Sequence, residues 1–393
     1  MLTVSPANAR NALSVTHGFI SLKKGIGGIL EVFRRHQCVQ SDPIEVAGRN
    51  ADLTLQSRVS DYKQQYLYDL LYEKRHLFEY FCKMHSILPV ETYPVFHWVR
   101  TRLSEKHAPF FKEHEKETAV IIKMLEDGPI SSRDIKGWKK VEWWGKTALS
   151  RVILERLWSC GRVMIHHREG AAKYYALTEE VVPESLYCTE PPGDEECIKE
   201  IVTIIVRASR IVSPSKAPEQ WYAVGKTKRI RELLETLEKE DDVFSLTLQG
   251  YKGKLYAPVE DRKIWEDPPL PDSDYVRFLA PLDPLNWNRA LFKVIYNMGY
   301  SWEVYKKVED RKYGYYCLPI LFNGRAVGLI EPFYRKKDKI LEIRNFHVLD
   351  TNIDKTQFKN ALEAELQRFA ANLRAERLEV NQNRWLKNIV VAL

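Results

Sequence analysis

The sequence lacks any run of about 18 uncharged apolar residues, the length that a membrane-spanning helix requires. Its first ten residues contain neither the basic stretch nor the apolar run of a signal peptide. None of the six cysteines forms a Cys-x-x-Cys pair, and the doublet His166-His167 has no closely spaced companions that would complete a zinc site. We therefore expect reduced, buried thiols and no metal, and we expect neither a membrane protein nor a secreted one.

Both Gly-Lys-Thr triplets lack the rest of a phosphate-binding loop. That motif needs a further glycine five positions earlier, where this chain has Lys140 and Gln220. The glycine-rich stretch 25–28 has Leu30 where a dinucleotide fingerprint needs its third glycine. We expect no nucleotide and no other cofactor.

The composition is that of a globular protein with several domains. Its 393 residues are 45% hydrophobic and 29% charged, and this length predicts two to four compact units. The 60 Lys and Arg residues exceed the 53 Asp and Glu residues, which gives a net charge of +7. Such a mild excess permits a polyanionic partner without requiring one.

An internal repeat organises the middle of the chain. Residues 144–147 and 224–227 each open an amphipathic helical pattern, and each pattern is followed by a hairpin signal. Further helices are predicted upstream of both copies, over 117–126 and 194–210, with a short helix after Ser131 and Ser132. A helix, a second helix and a hairpin make a winged helix-turn-helix, so the repeat predicts two in tandem.

The last third of the chain changes to strand patterns. Asn323-Gly324 between two apolar runs is a strong hairpin signal, and further strands are predicted over 302–306 and 340–346. A closing helix over 357–373 has Phe358, Leu362, Leu366 and Phe369 on one face. We predict an α+β fold with four parts: an N-terminal unit with winged-helix character over 1–113, winged helices over 114–190 and 191–265, and an antiparallel sheet or partial barrel with a C-terminal helix over 272–393.

Gln40 and Asp42 form the most suggestive pair of polar side chains. They are two apart in an extended segment, so both point the same way. An amide beside a carboxylate can hold one water molecule and stabilise one developing positive charge. Residues 42–45, Asp-Pro-Ile-Glu, equally suit the start of a helix, with an N-cap residue and then proline. Both interpretations stay open, because capping does not explain Gln40.

Basic and amide side chains in three places suggest contacts to nucleic acid. They interleave with tyrosines in the first third of the chain, lie near a plausible recognition-helix start at 146–151, and form a basic turn over 306–312. Charges would contact phosphates and rings would lie against bases. The competing interpretation is a solvated surface over an aromatic core, or a strand edge kept soluble by charge. The candidates are Arg49, Asn50, Arg58, Lys83, Lys146, Arg151, Lys306, Lys307, Arg311 and Lys312.

Four stretches resemble the YcaQ-type winged-helix DNA glycosylases, a family that includes interstrand-crosslink repair enzymes. They occur in the family's order up to about residue 350: Val39-Gln40-Ser41-Asp42 followed by Val46, Asp52–Arg58, Phe78–Phe81 leading to Ser86–Pro89, and Tyr313–Pro319. The family's catalytic Gln-x-Asp motif falls on Gln40 and Asp42, which makes 1–113 the expected catalytic unit. Ala51, Lys83 and Glu331 depart from the usual pattern, and substrate range is the property on which we expect these departures to bear most.

The resemblance implies a monofunctional glycosylase that removes alkylated purines such as 7-alkylguanine from double-stranded DNA, with crosslinks as a further expected substrate. Asp42 would stabilise the oxocarbenium ion and activate water, while Gln40 would orient that water. We expect a cytoplasmic, nucleoid-associated monomer. Two alternatives remain: a non-enzymatic winged-helix regulator, and a lesion sensor that binds damage without cleaving.

Overall fold

A computed structural model describes residues 1–143, 145–215, 217–225, 227–380 and 386. The chain forms two compact units, and the first is discontinuous in sequence. Unit 1 consists of Met1–Leu67 and Val202–Leu393, and unit 2 consists of Tyr68–Ile201. The α+β class is confirmed, whereas the tandem winged helices and the four domain boundaries stay predictions.

The described residues contain helices in both units, and none of these helices is both long enough and apolar enough to cross a membrane. They are numbered α1 to α14 in chain order and span Pro6–Thr16, Gly25–His36, Asn50–Gln56, Gln64–Tyr68, His97–Glu113, Glu115–Glu126, Leu149–Ser159, Thr178–Val181, Glu184–Tyr187, Asp194–Ser209, Thr227–Lys239, Arg262–Glu266, Arg289–Tyr296 and Lys355–Leu373.

The strands of the described residues are numbered β1 to β15. They span Leu2–Val4, Val39–Gln40, Leu77–Cys82, Met84–Pro89, Lys140–Trp143, Gly145–Ala148, Val163–Glu169, Ala172–Leu177, Val243–Leu248, Leu255–Pro258, Val276–Phe278, Leu318–Phe322, Arg325–Arg335, Ile340–Val348 and Arg377–Val380. In unit 1 they build a three-stranded sheet of order β1-β9-β10 and a five-stranded sheet of order β11-β12-β13-β14-β15. Unit 2 contains the hairpins β3–β4, β5–β6 and β7–β8.

The five-stranded sheet and α14 form one core of unit 1. The predicted hairpin at Asn323-Gly324 is confirmed, and both of its turn residues have positive φ angles of 47° and 75°. The predicted apolar face of α14 is confirmed too, because all four of its named residues are buried in this core. The edge strand β15 runs parallel to β14, so the sheet is mixed rather than purely antiparallel.

Residues at the start of the chain complete the second sheet of unit 1. Strand β1 pairs in parallel with β9, with Leu2 opposite Leu246 and Val4 opposite Leu248. Leu13 of α1 packs in the same apolar core as Leu246. The hairpin β9–β10 agrees with the sequence pattern, as does the preceding helix α11.

Unit 2 is built around two of its hairpins, β3–β4 and β7–β8. Glu79 of β3 is buried and accepts hydrogen bonds from the guanidinium of Arg168, the shortest at 2.6 Å. The hydroxyl of Tyr80 donates to the carbonyl of Ser159 at 2.6 Å. These contacts give the Phe-Glu-Tyr-Phe stretch a structural role within this unit.

Three local predictions are wrong. The segment 302–306 forms a turn rather than a strand. Ser131 begins a turn in which its backbone N–H donates to Asp134 at 2.8 Å, and no second helix follows within the described residues there. Helix α7 begins at Leu149 because Gly145–Ala148 pairs with Lys140–Trp143 as a hairpin instead. Trp144 and Lys226, which belong to the two repeat motifs, lie outside the described residues.

Candidate active site

Strand β2 and the segment after it carry the predicted catalytic pair. The side chain of Gln40 is buried, with 6% of its surface exposed, and Asp42 is partly exposed just beyond the strand. The side-chain amide of Asn50, at the start of α3, donates to the carbonyl oxygen of Gln40 at 2.8 Å. The backbone that carries the pair is therefore held by a buried hydrogen bond.

Asp42 caps a turn rather than a helix. Its Oδ1 accepts the N–H of Ile44 at 2.9 Å, and the next helix does not begin until Asn50, so the predicted helix start at 42–45 is wrong. Burial raises the pKa of the Asp42 carboxyl, and the hydrogen bond from Ile44 opposes that shift. A carboxylate with a raised pKa accepts a proton from water more readily than an exposed aspartate does.

Aromatic side chains lie near Asp42. Burial and then the negative charge of Asp42 raise the pKa of both Tyr305 and Tyr316. Trp302 contacts both tyrosines edge-on, with ring centroids 5.7 Å from Tyr305 and 5.6 Å from Tyr316. We call these three residues the aromatic cluster. Sequence reasoning missed it, although Tyr316 belongs to a recognised motif.

Glu331 holds the Tyr-Gly-Tyr-Tyr stretch in place. Its Oε1 accepts the backbone N–H groups of Tyr315 at 2.6 Å and of Tyr316 at 2.9 Å. A Cβ atom at Gly314, where φ is +147°, would lie 2.5 Å from the other carboxylate oxygen. Only glycine allows this approach. Glu331 therefore fixes the backbone of Tyr316, although Glu331 itself departs from the family pattern.

Glu303 organises the basic loop, which we define as residues 303–313. Its buried carboxylate accepts the backbone N–H groups of Lys312 and Tyr313, both at 2.9 Å, and pairs with the Lys306 ammonium at 2.7 Å. The guanidinium of Arg311 lies 4.9 Å from the ring centroid of Tyr315. The four predicted DNA contacts 306, 307, 311 and 312 thus share one ordered loop.

Three of the other predicted DNA contacts lie in the interior. The Arg58 guanidinium is 1% exposed and donates to both carboxylate oxygens of Asp283, at 2.7 and 3.0 Å. The same guanidinium approaches Nδ1 of His17 at 3.0 Å, and burial lowers the pKa of that histidine well below its ordinary value. Asn50 and Lys83 are buried as well. We assign structural roles to Arg58 and Asn50 because their polar atoms are engaged within unit 1.

The remaining candidates are at or near the surface. Lys146 lies exposed on β6 and Arg151 lies exposed in the first turn of α7, both in unit 2. In unit 1, Arg49 is mostly buried beside Glu45, with an N···O distance of 3.4 Å. Within the described ranges, no group of three or more His, Cys, Asp or Glu side chains is arranged to hold a metal ion.

Comparison with known proteins identifies the family. A sequence model described as DNA glycosylase AlkZ-like matches residues 33–372. Among solved structures, the fold is similar to Streptomyces sahachiroi DNA glycosylase AlkZ, with a TM-score of 0.62 at 14% sequence identity over 97% of this chain and 100% of that chain. The resemblance drawn from the four motifs is confirmed. Because the match extends over most of its length, the chain belongs to the AlkZ-like family of DNA glycosylases.

Proposed function

We propose that this protein is a DNA repair glycosylase that hydrolyses the N-glycosidic bond of alkylated purines, 7-alkylguanine above all. The observation that carries the proposal is the partly buried Asp42 carboxylate, which is oriented by the Ile44 N–H and lies on a backbone held through Asn50. Family membership supplies the reaction class. The specific lesion is the one that the resemblance implies, and it suits the chemistry that one carboxylate can perform.

The chemistry needs no strong general acid. A 7-alkylguanine carries a positive charge, so it departs as a neutral base with the bonding electrons and leaves an oxocarbenium-like sugar. Asp42 stabilises this cation and takes a proton from the water whose oxygen bonds to the sugar carbon. Gln40 orients the water or the carboxylate. One preorganised group of this kind contributes about 3–4 kcal/mol to transition-state stabilisation.

The product is a free base and an abasic site, so the enzyme is monofunctional and no lysine Schiff base is required. The partner is double-stranded DNA, and the basic loop of unit 1 supplies its phosphate contacts. An interstrand crosslink through N7 of guanine has the same cationic leaving group, which extends the proposal to crosslinked DNA. We propose that the enzyme acts as a cytoplasmic, nucleoid-associated monomer.

The test is release of free base from a duplex that carries one 7-methylguanine, measured by chromatography under single-turnover conditions. Asp42→Asn should lower the rate by about 10²- to 10³-fold. Asp272→Asn, which removes a carboxylate from an exposed position, is the matched control and should keep the wild-type rate.

The other functions predict other results. A lesion sensor would bind the damaged duplex without releasing base, and a regulator would give a sequence-selective footprint on undamaged DNA. An unchanged rate in a folded Asp42→Asn variant would remove Asp42 from the mechanism.

A further inference from the structure

Tyr305 is a large ring whose exposure is not explained by folding. Its side chain is 82% exposed, whereas the other members of the aromatic cluster are partly buried or, for Tyr316, 1% exposed. One edge of the ring rests against Trp302 at a centroid distance of 5.7 Å. An exposed aromatic ring supported by a second ring is a typical surface for stacking against a planar ligand.

The position of Tyr305 is set by the backbone around it. It lies in a turn closed by the N–H of Lys306, which donates to the carbonyl of Glu303 at 3.0 Å. The carboxylate of Glu303 is buried and binds two further backbone N–H groups of the basic loop. The backbone that carries the ring is therefore fixed before a ligand arrives, which lowers the entropic cost of stacking.

The aromatic cluster also contains buried donors. Within the described part of the chain, the indole Nε1 of Trp302 and the hydroxyl of Tyr316 are buried without a hydrogen-bond partner. Buried polar groups in proteins are nearly always paired. Two donors that folding leaves unpaired therefore lie in the cluster that supports the exposed ring, closed to solvent in this structure.

We propose that Tyr305 stacks on the damaged base beside Asp42 and selects a base that carries positive charge. The inference rests on the proposed function, because it takes the damaged base as the ligand. The face of an aromatic ring is electron-rich and attracts a delocalised cation such as 7-alkylguanine more strongly than a neutral purine. The negative charge of the Asp42 carboxylate also attracts a cationic base. Enzymes that act on a base in DNA commonly read it by stacking it against aromatic side chains.

The test compares two duplexes whose central nucleotide carries a 2′-fluoroarabino sugar, which suppresses bond cleavage so that binding can be measured alone. One duplex contains 7-methylguanine and the other contains unmethylated guanine. Wild-type protein should bind the methylated duplex more tightly. Tyr305→Leu should weaken that binding by roughly 2- to 30-fold, the range for loss of one cation–π contact, and should bind the neutral duplex with less change. Tyr305→Phe should retain the preference.

Tyr187→Leu is the matched control, since Tyr187 is an exposed tyrosine of unit 2, and it should leave both affinities unchanged. Equal wild-type affinity for the two duplexes would overturn the inference, as would a Tyr305→Leu variant that keeps the preference for the cation. Both readouts are independent of base release. A protein that binds the cation through Tyr305 but releases no base would contradict the proposed function alone.

Discussion

The side chain of Asn50 joins the backbone of Gln40 to that of Leu282. Its Nδ2 donates to the carbonyl of Gln40 at 2.8 Å, and its Oδ1 accepts the N–H of Leu282 at 2.9 Å. Asn50 is fully buried, so water does not compete for its buried bond to Gln40, whereas the bond to Leu282 is partly buried. The backbone of the catalytic pair is thereby fixed to the segment that precedes Asp283.

We expect Asn50→Ala to destabilise the protein and to slow base release. The substitution removes one hydrogen bond to the buried carbonyl of Gln40 and one to the partly buried N–H of Leu282, and each loss costs about 0.5–1.5 kcal/mol. Equilibrium unfolding in urea measures the first effect, and single-turnover base release by the folded fraction measures the second. Asn352→Ala, at an exposed position, is the control. If Asn50→Ala were as stable as the wild type, the two hydrogen bonds of Asn50 would not contribute to stability.

Breaking the ion pair between Arg58 and Asp283 should strongly destabilise the folded state. Arg58→Met removes the guanidinium and leaves the Asp283 carboxylate buried without its charge partner, which typically costs about 3–5 kcal/mol. The surface pair Arg325–Asp350 is the comparison, because its side chains are 41% and 32% exposed. Arg325→Ala should cost less than about 1 kcal/mol. Equal losses of unfolding free energy in the two variants would contradict the structural role assigned to Arg58.

The stability of the protein should depend on pH through Asp42. Burial raises the pKa of this carboxyl in the folded state above its ordinary value of 3.8, so the folded state binds the proton more tightly than the unfolded state does. That contribution to stability is present at low pH and is lost as the pH rises through the folded pKa.

We therefore expect Asp42→Asn to be more stable than the wild type at about pH 7, with the difference shrinking towards about pH 4. The amide oxygen can still accept the N–H of Ile44, so the turn is retained. Urea unfolding of both proteins at several pH values measures the difference, and Asp272→Asn controls for loss of a negative charge as such. A difference that grows as the pH falls would mean that the sign is wrong.

Lys307 should contribute one phosphate contact. It is exposed on the basic loop, whereas the neighbouring Lys306 is held by Glu303 at 2.7 Å. Lys307→Ala should reduce the slope of log affinity against log salt concentration by about 1, and Lys306→Ala should reduce it less. Fluorescence anisotropy with a labelled duplex over a salt series gives these slopes. Lys355→Ala, at the start of α14, should leave the slope unchanged.

Local chemistry explains which parts of the fold could be predicted. The turn at Asn323-Gly324 and the apolar face of α14 depend on neighbouring residues, and both predictions are confirmed. The pairing of β1 with β9 joins segments far apart in sequence, and a three-residue strand has no periodicity of its own to reveal its partner.

The candidate site likewise combines features that neighbouring residues determine with features that distant segments determine. Residues 42–45 have a helix-start signature, but an aspartate that accepts the N–H two residues ahead has the same local sequence whether or not a helix follows. The segment is instead drawn onto β13, where the N–H of Tyr334 donates to the carbonyl of Val46 at 2.9 Å. The stretch around Tyr305 has an alternating pattern that resembles a strand. It forms a turn instead, because the buried carboxylate of Glu303 binds backbone N–H groups later in the same loop.

The discontinuity of unit 1 has a consequence for biosynthesis. Strand β1 leaves the ribosome well before its partner β9, because all of unit 2 is made between them. At about 5–20 residues per second, β1 waits tens of seconds for that partner, roughly 10–50 s. During this interval Leu13 lacks Leu246, with which it shares a core in the folded protein, so that side of α1 is buried only after β9 has been made.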